Sequence, residues 1–222
     1  MKLTFLGTGS ADWKPSDKDA RADYRRNTSL LIDDCLLIDP GPTVLDGMQF
    51  ANKSPDGVRF ILNTHKHSDH YSIDTVNALT NATLYALRAG EVRTVGRYTV
   101  TALPANHAVA TVHFLISDGE RTLFYGLDGA WLLYEEFEAI KAATPDLALL
   151  DATMGDHMGD YRVFEHNDLG MVKELKASLA PHVRRVMITH VSKTLSYPHD
   201  ELVALTKPHG IEVAFDGMEI IV

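Results

Sequence analysis

The sequence predicts an α/β (α+β) fold, two sheets with outer helices. Three observations support this. Short apolar or alternating segments recur along all 222 residues, as buried and half-buried strands do. Stretches with a helical apolar period separate some of them. Histidine and aspartate residues gather where the strand segments stop.

The elements follow in order. Strands are expected at 2–6, 28–32, 35–39, 58–62, 83–86, 98–103, 112–117, 122–126, 147–150, 186–188, 212–215 and 219–222. The stretch 30–39 reads as a hairpin with Cys35 as a buried thiol, and Asp118-Gly119-Glu120 reads as a second hairpin turn. Helical periodicity covers 131–142, where Trp131, Leu132, Tyr134, Phe137 and Ile140 recur. It returns over 168–179, where Leu169, Val172, Leu175 and Leu179 share a face. A last helix is expected over 198–207, capped by Ser196. The long irregular stretches 11–27 and 153–165 have the length of functional loops. Gly7-Thr8-Gly9-Ser10 reads as a glycine turn, since it lacks the lysine and the length of a phosphate loop. No repeat, low-complexity tract or linker divides the chain, so a single domain over 1–222 is expected.

Bulk properties narrow the function. The formal charge is −9, from 30 acidic and 21 basic residues, which repels polyanions such as nucleic acid backbones. No basic tract forms a nucleic-acid arm, and the pairs Arg25-Arg26 and Arg184-Arg185 read as surface charges. No apolar run reaches the ~18 residues of a membrane span. The first residues read as a strand and not as a signal peptide. A single cysteine excludes an intrachain disulfide, so a cytoplasmic location is expected.

The densest chemistry lies in Asn63-Thr64-His65-Lys66-His67-Ser68-Asp69-His70, directly after the apolar segment 58–62. His65 and His67 alternate by two, so an extended backbone points both to one side. Asp69 and His70 then turn towards a second position. Three or four ligands saturate one ion, and a set larger than that points to two ions sharing a water.

The pattern His-x-His-x-Asp-His at His65, His67, Asp69 and His70 resembles the metallo-β-lactamase superfamily. The resemblance runs from Leu6-Gly7-Thr8-Gly9-Ser10 to Phe215-Asp216-Gly217-Met218-Glu219. It implies a four-layer αββα sandwich and three further ligands, matched by His107, Asp128 and His190, each following a strand segment. By the same resemblance His65, His67 and His107 hold one divalent ion, Asp69, His70 and His190 hold the other, and Asp128 bridges. Zinc or manganese suits such ligands, and iron is also compatible. Two ions about 3.5–4 Å apart would activate a shared water for ester hydrolysis. Asp39 has two readings: a carboxylate orienting a ligand imidazole, or a turn residue before Pro40-Gly41.

Three segments resemble the phosphodiesterase branch that includes tRNase Z and the PhnP-like group. They are the Leu-Gly-Thr-Gly-Ser opening, Glu165-His166-Asn167-Asp168-Leu169, and the stretch 215–219. The chain departs from the PhnP-like group in one respect: 14–26 carries no cysteine, so a structural zinc site there is not expected. The expected function is a dinuclear metal-dependent hydrolase of a small, linear or cyclic, anionic phosphodiester. The alternatives are a thioesterase or lactonase, or a non-hydrolytic metal-binding accessory protein of cofactor biosynthesis. Asp69 and His166 are the candidate catalytic residues. His166 is either a general acid or a residue that merely flanks the helix beginning near 168. No membrane partner is expected, and a homodimer is left open.

Overall fold

The computed structural model describes residues 1–157 and 159–222; Met158, in the 153–165 segment, lies outside the described residues. The chain forms two compact units, Met1–Leu87 with Ala214–Ile221, and Arg88–Val213 with Val222. The early strands are β1 (Lys2–Gly7), β2 (Ser29–Ile32), β3 (Leu36–Ile38), β4 (Phe60–Leu62) and β5 (Thr83–Tyr85). The middle strands are β6 (Val92–Val95), β7 (Tyr98–Pro104), β8 (Val112–Ser117), β9 (Thr122–Gly126), β10 (Leu147–Asp151), β11 (Arg185–Thr189) and β12 (Ile211–Val213). The last strand is β13 (Glu219–Ile221). The helices are α1 (Val44–Phe50), α2 (Ile73–Ala78), α3 (Tyr134–Ala143), α4 (Leu169–Leu179) and α5 (His199–Thr206). Two mixed sheets with flanking helices are the components of the expected αββα class.

The first unit's sheet has the order β13-β1-β2-β3-β4-β5. Its outer pairs β13–β1 and β1–β2 are antiparallel, whereas β3, β4 and β5 run parallel. Leu30-Leu31-Ile32 and Leu36-Leu37-Ile38 are buried throughout, which is why they are continuous apolar runs and do not alternate. Helix α1 buries Val44, Gly47 and Met48, one helical stripe. Ser72 caps α2 by accepting from the Thr75 N–H at 3.3 Å. Both helices are too short to show a period and were not expected from the sequence.

The second unit's sheet has the order β12-β11-β10-β9-β8-β7-β6. Strands β9 to β12 are parallel and β6 to β9 antiparallel. Its core gathers Phe124, Ile140, Ala148, Leu150, Val172 and Ile188. Strand β6 was not expected either; three of its four residues are exposed, so it carries no hydrophobic signature.

Several sequence expectations are corrected. The third helix begins at Tyr134 and not at 131, because Trp131 has φ +60°, a left-handed conformation no helix interior admits. Ser196 does not cap the last helix; Pro198 stands at the cap position with no side-chain bond. Cys35 is half-buried in the β2–β3 turn. Arg25 and Arg26 are buried and not surface charges. Arg25 donates to Thr8 Oγ1 at 2.7 Å and to the Ala214 carbonyl at 3.0 Å. Arg26 pairs with Asp46 and Asp216 at 2.5 and 3.3 Å. A buried guanidinium persists only with such partners. Among the described residues, no helix is long and apolar enough to cross a membrane.

Candidate metal centre

The seven expected ligands divide between the units: His65, His67, Asp69 and His70 in the first, His107, Asp128 and His190 in the second. In the first unit the segment after β4 curls back on itself. The His67 carbonyl accepts from the His70 N–H at 3.0 Å, and the Asn63 amide donates to the His70 carbonyl at 3.2 Å. The ring centroids of His67 and His70 lie 4.6 and 4.5 Å from that of His65. Gly41 allows the approach of the preceding turn: a Cβ there would lie 2.0 Å from the Asp69 carbonyl oxygen.

Asp39, fully buried after β3, organises this segment. Its Oδ1 accepts from the Thr64 N–H at 2.8 Å, the Thr64 hydroxyl at 2.9 Å and the Asn63 amide at 3.3 Å. Its Oδ2 accepts from His70 Nδ1–H at 2.9 Å. Having given its only proton to Asp39, the Thr64 hydroxyl accepts from His65 Nδ1–H at 2.9 Å. Both imidazoles are therefore anchored through Nδ1, and their Nε2 lone pairs remain for a ligand. His70 Nε2 stands 3.3 Å from Asp69 Oδ2. Two donors each about 2.1 Å from one ion in tetrahedral coordination would stand about 3.4 Å apart. Asp39 thus orients an imidazole, and it also turns the chain, with φ +59°.

In the second unit sheet register assembles the site. Parallel pairing sets Leu150 opposite Gly126 and Asp151 opposite Thr189. Asp128, Asp151 and His190 therefore emerge together at the carboxyl ends of β9, β10 and β11, where parallel sheets present their ligands. Strand β7 runs in the same direction as β9, which brings His107 to that edge. His190 Nε2 lies 3.4 Å from Asp128 Oδ2, and His107 Nε2 lies 4.0 Å from Asp128 Oδ1. The first spacing again matches two donors on one ion. His107 Nδ1–H donates to the Glu165 carbonyl at 3.0 Å, a group that only accepts, so its Nε2 also carries the lone pair.

Two residues here escaped the sequence reading. Asp151 is fully buried, and its Oδ2 accepts from His166 Nδ1–H at 2.6 Å. The Thr153 hydroxyl lies 2.8 Å from Asp151 Oδ1, 2.9 Å from the His190 carbonyl and 2.8 Å from His190 Nδ1. Whichever oxygen takes the hydroxyl proton, the hydroxyl accepts from His190 Nδ1–H. The donor atoms of Asp128, Asp151, His166 and His190 all lie within 4.8 Å of one another. Burial disfavours the His166 imidazolium, but the charge and hydrogen bond of Asp151 outweigh it and push its pKa up to about 9. Asp151 is likewise opposed by burial, yet His166 holds its carboxyl below the ordinary range. The main carboxylate partner of His166 is thus Asp151, ahead of Asp128 and Glu165. Asp168 is engaged in capping α4 through the Met171 N–H at 2.7 Å.

The donor set fits divalent metal. Four imidazoles with Nδ1 anchored and Nε2 available, together with buried carboxylates, are the arrangement found around zinc, manganese and iron.

Comparison with known proteins agrees. A family model described as the metallo-beta-lactamase superfamily matches residues 23–72, and it bears out the resemblance seen in the sequence. Among solved structures, a diphosphatase from the PhnP family is 18% identical with a TM-score of 0.77, covering 99% of this chain and 96% of its own. Zn(2+)-bound PqqB from Methylobacterium extorquens is 16% identical, TM-score 0.77, with both chains covered fully. The short form of human tRNase Z is 16% identical, TM-score 0.71, covering 100% of this chain and 99% of its own. The fold is theirs. No curated protein matches the sequence.

Proposed function

We propose that this chain is a dinuclear metal-dependent phosphodiesterase acting on a small anionic diester. The ligands in this reading are His65, His67, Asp69, His70, His107, Asp128 and His190. The observation that carries it is the shared state of His65, His70, His107 and His190: each gives its Nδ1 proton to an oxygen, leaving Nε2 for a metal. The PhnP-family diphosphatase and the tRNase Z among the structural neighbours support a phosphorus ester as substrate. The Zn(2+)-bound neighbour supports zinc.

When bound, divalent ions would supply an activated water and neutralise phosphoryl oxygens. The chain's own residues do the rest. Asp39 and Asp151 hold imidazoles in orientation. Asp69 carries negative charge beside His70 Nε2. His166, anchored to Asp151 through Nδ1, keeps Nε2 for a proton passed to the leaving oxygen.

The test is a substrate panel on protein reconstituted with Zn²⁺ or Mn²⁺, together with metal analysis. Two ions per chain are expected, and bis-(p-nitrophenyl) phosphate should be cleaved well above the monoester. A monoester dianion adds charge to a chain already at −9, whereas a diester carries one negative charge. Equal kcat/KM on both phosphates, or fewer than one ion per chain, would defeat the reading. A lactone or thioester preference would replace it with that class.

A further inference from the structure

We propose that His113 and Glu136 form a buried positioning pair that holds Asp128 in its ligand geometry; the proposal rests on the reading of Asp128 as a metal ligand. His113 lies on β8 and Glu136 on α3, 23 positions apart in sequence, and both are buried. Neither belongs to the expected ligand set, and polar side chains in an apolar interior carry a solvation cost that some function or partner must offset.

The geometry has three parts. His113 Nε2 stands 3.1 Å from the Leu127 carbonyl oxygen. A carbonyl only accepts, so this nitrogen carries a proton and donates. His113 Nδ1 stands 2.5 Å from Glu136 Oε1, and Glu136 Oε2 accepts from the Leu133 N–H at 2.8 Å. The imidazole also packs beneath the next turn, since a Cβ on Gly129 would lie 2.8 Å from His113 Cε1. One ring thus grips the residues on both sides of Asp128. Asp128 itself has φ +60°, a strained conformation that persists only where surroundings impose it. The Leu127 bond and the Gly129 contact are such surroundings. The hydrogen bonds from Asn106 to the Ala130 carbonyl at 2.9 Å, and from the Ala130 N–H to the Asn106 carbonyl at 3.0 Å, hold the far side of the same turn. The chain therefore runs from the first turn of α3 through Glu136 and His113 to the backbone beside Asp128.

The pair makes distinct demands on each member. Glu136→Gln keeps every bond: its amide N–H donates to His113 Nδ1, its oxygen accepts from Leu133, and neutral His113 still donates through Nε2. His113→Asn keeps a partner for Glu136 but has nothing at the Nε2 position, so the Leu127 carbonyl loses its donor.

The readout is Zn²⁺ affinity by chelator competition on full-length protein, with melting temperature recorded alongside. Glu136→Gln should bind within about threefold of the parent. His113→Asn should bind about 10–100-fold more weakly, the usual cost of losing a group that orients a ligand. Should His113→Asn not fold, H113L/E136M replaces the pair with apolar groups of similar size, which conserves stability in many buried pairs; it should show the same loss. Asp128→Asn is the control. If Asp128→Asn weakens Zn²⁺ binding while the folded His113 variants bind as the parent does, the positioning role is overturned. If Asp128→Asn binds as the parent does, Asp128 is not a ligand and the reading beneath the proposal falls instead.

Discussion

Thr64 and Thr153 perform the same task in different units. Each is a hydroxyl between a carboxylate and an imidazole, Asp39 and His65 in one case, Asp151 and His190 in the other. Each passes its own proton to an oxygen acceptor and receives one from Nδ1, which settles the tautomer. At the same scale, His166 can be separated from a purely structural residue. On the proposed function, His166→Ala should leave the metal content unchanged and lose about 10²–10⁴-fold in kcat on diesters with alkoxide leaving groups. The loss should be much smaller with p-nitrophenolate, which departs unprotonated. An equal loss on both would indicate substrate positioning. The candidate cluster His65, His67, Asp69 and His70 was legible because four metal-binding residue types within six positions have no structural reason to crowd together. Asp151, Thr153, His113 and Glu136 were not legible. Each is an ordinary residue whose partners are mostly distant in sequence, as with Thr153 and His190, 37 positions apart, and only the sheet register reveals them.

At the scale of elements, the candidate residues of each unit sit just past strand ends. Asp39, Asp128 and His190 follow β3, β9 and β11, and all three have left-handed backbones, with φ of +59°, +60° and +60°. The sharp reversal lifts each side chain out of its strand's line. The helices do quieter work. Asp168 caps α4 just after His166, accepting from the Met171 N–H at 2.7 Å. Asp168→Ala should cost about 1 kcal/mol, a fall of about 2–4 °C in melting temperature for a chain of this size, with metal content unchanged. Loss of metal on that substitution would mean that the helix start governs the site and does not merely adjoin it. Helix α4 was legible because eleven residues show an apolar stripe. Helices α1 and α2, of seven and six residues, and the exposed strand β6 offered no comparable period.

For the whole molecule, the fold class was legible from recurrent strands and from the superfamily motif, while strand order was not. Nothing in the apolar pattern of 219–221 announces that it will lie beside 2–4. That pairing has a consequence for the order of events during synthesis. Strands β6 to β12 leave the ribosome as one uninterrupted run, so their sheet has all its members early. The other sheet has its first five strands even sooner and then waits, with β1 as an open edge, until β13 arrives. Closing a loop of that length is slow. In refolding followed by pulsed hydrogen exchange, amides at the β1–β13 pairing should gain protection after those of the β8–β9 hairpin; simultaneous protection would contradict this. Through that interval the nascent chain carries a buried-type strand with one edge unpaired, the kind of edge on which neighbouring chains aggregate. The arrival of a three-residue strand marks the end of that exposure.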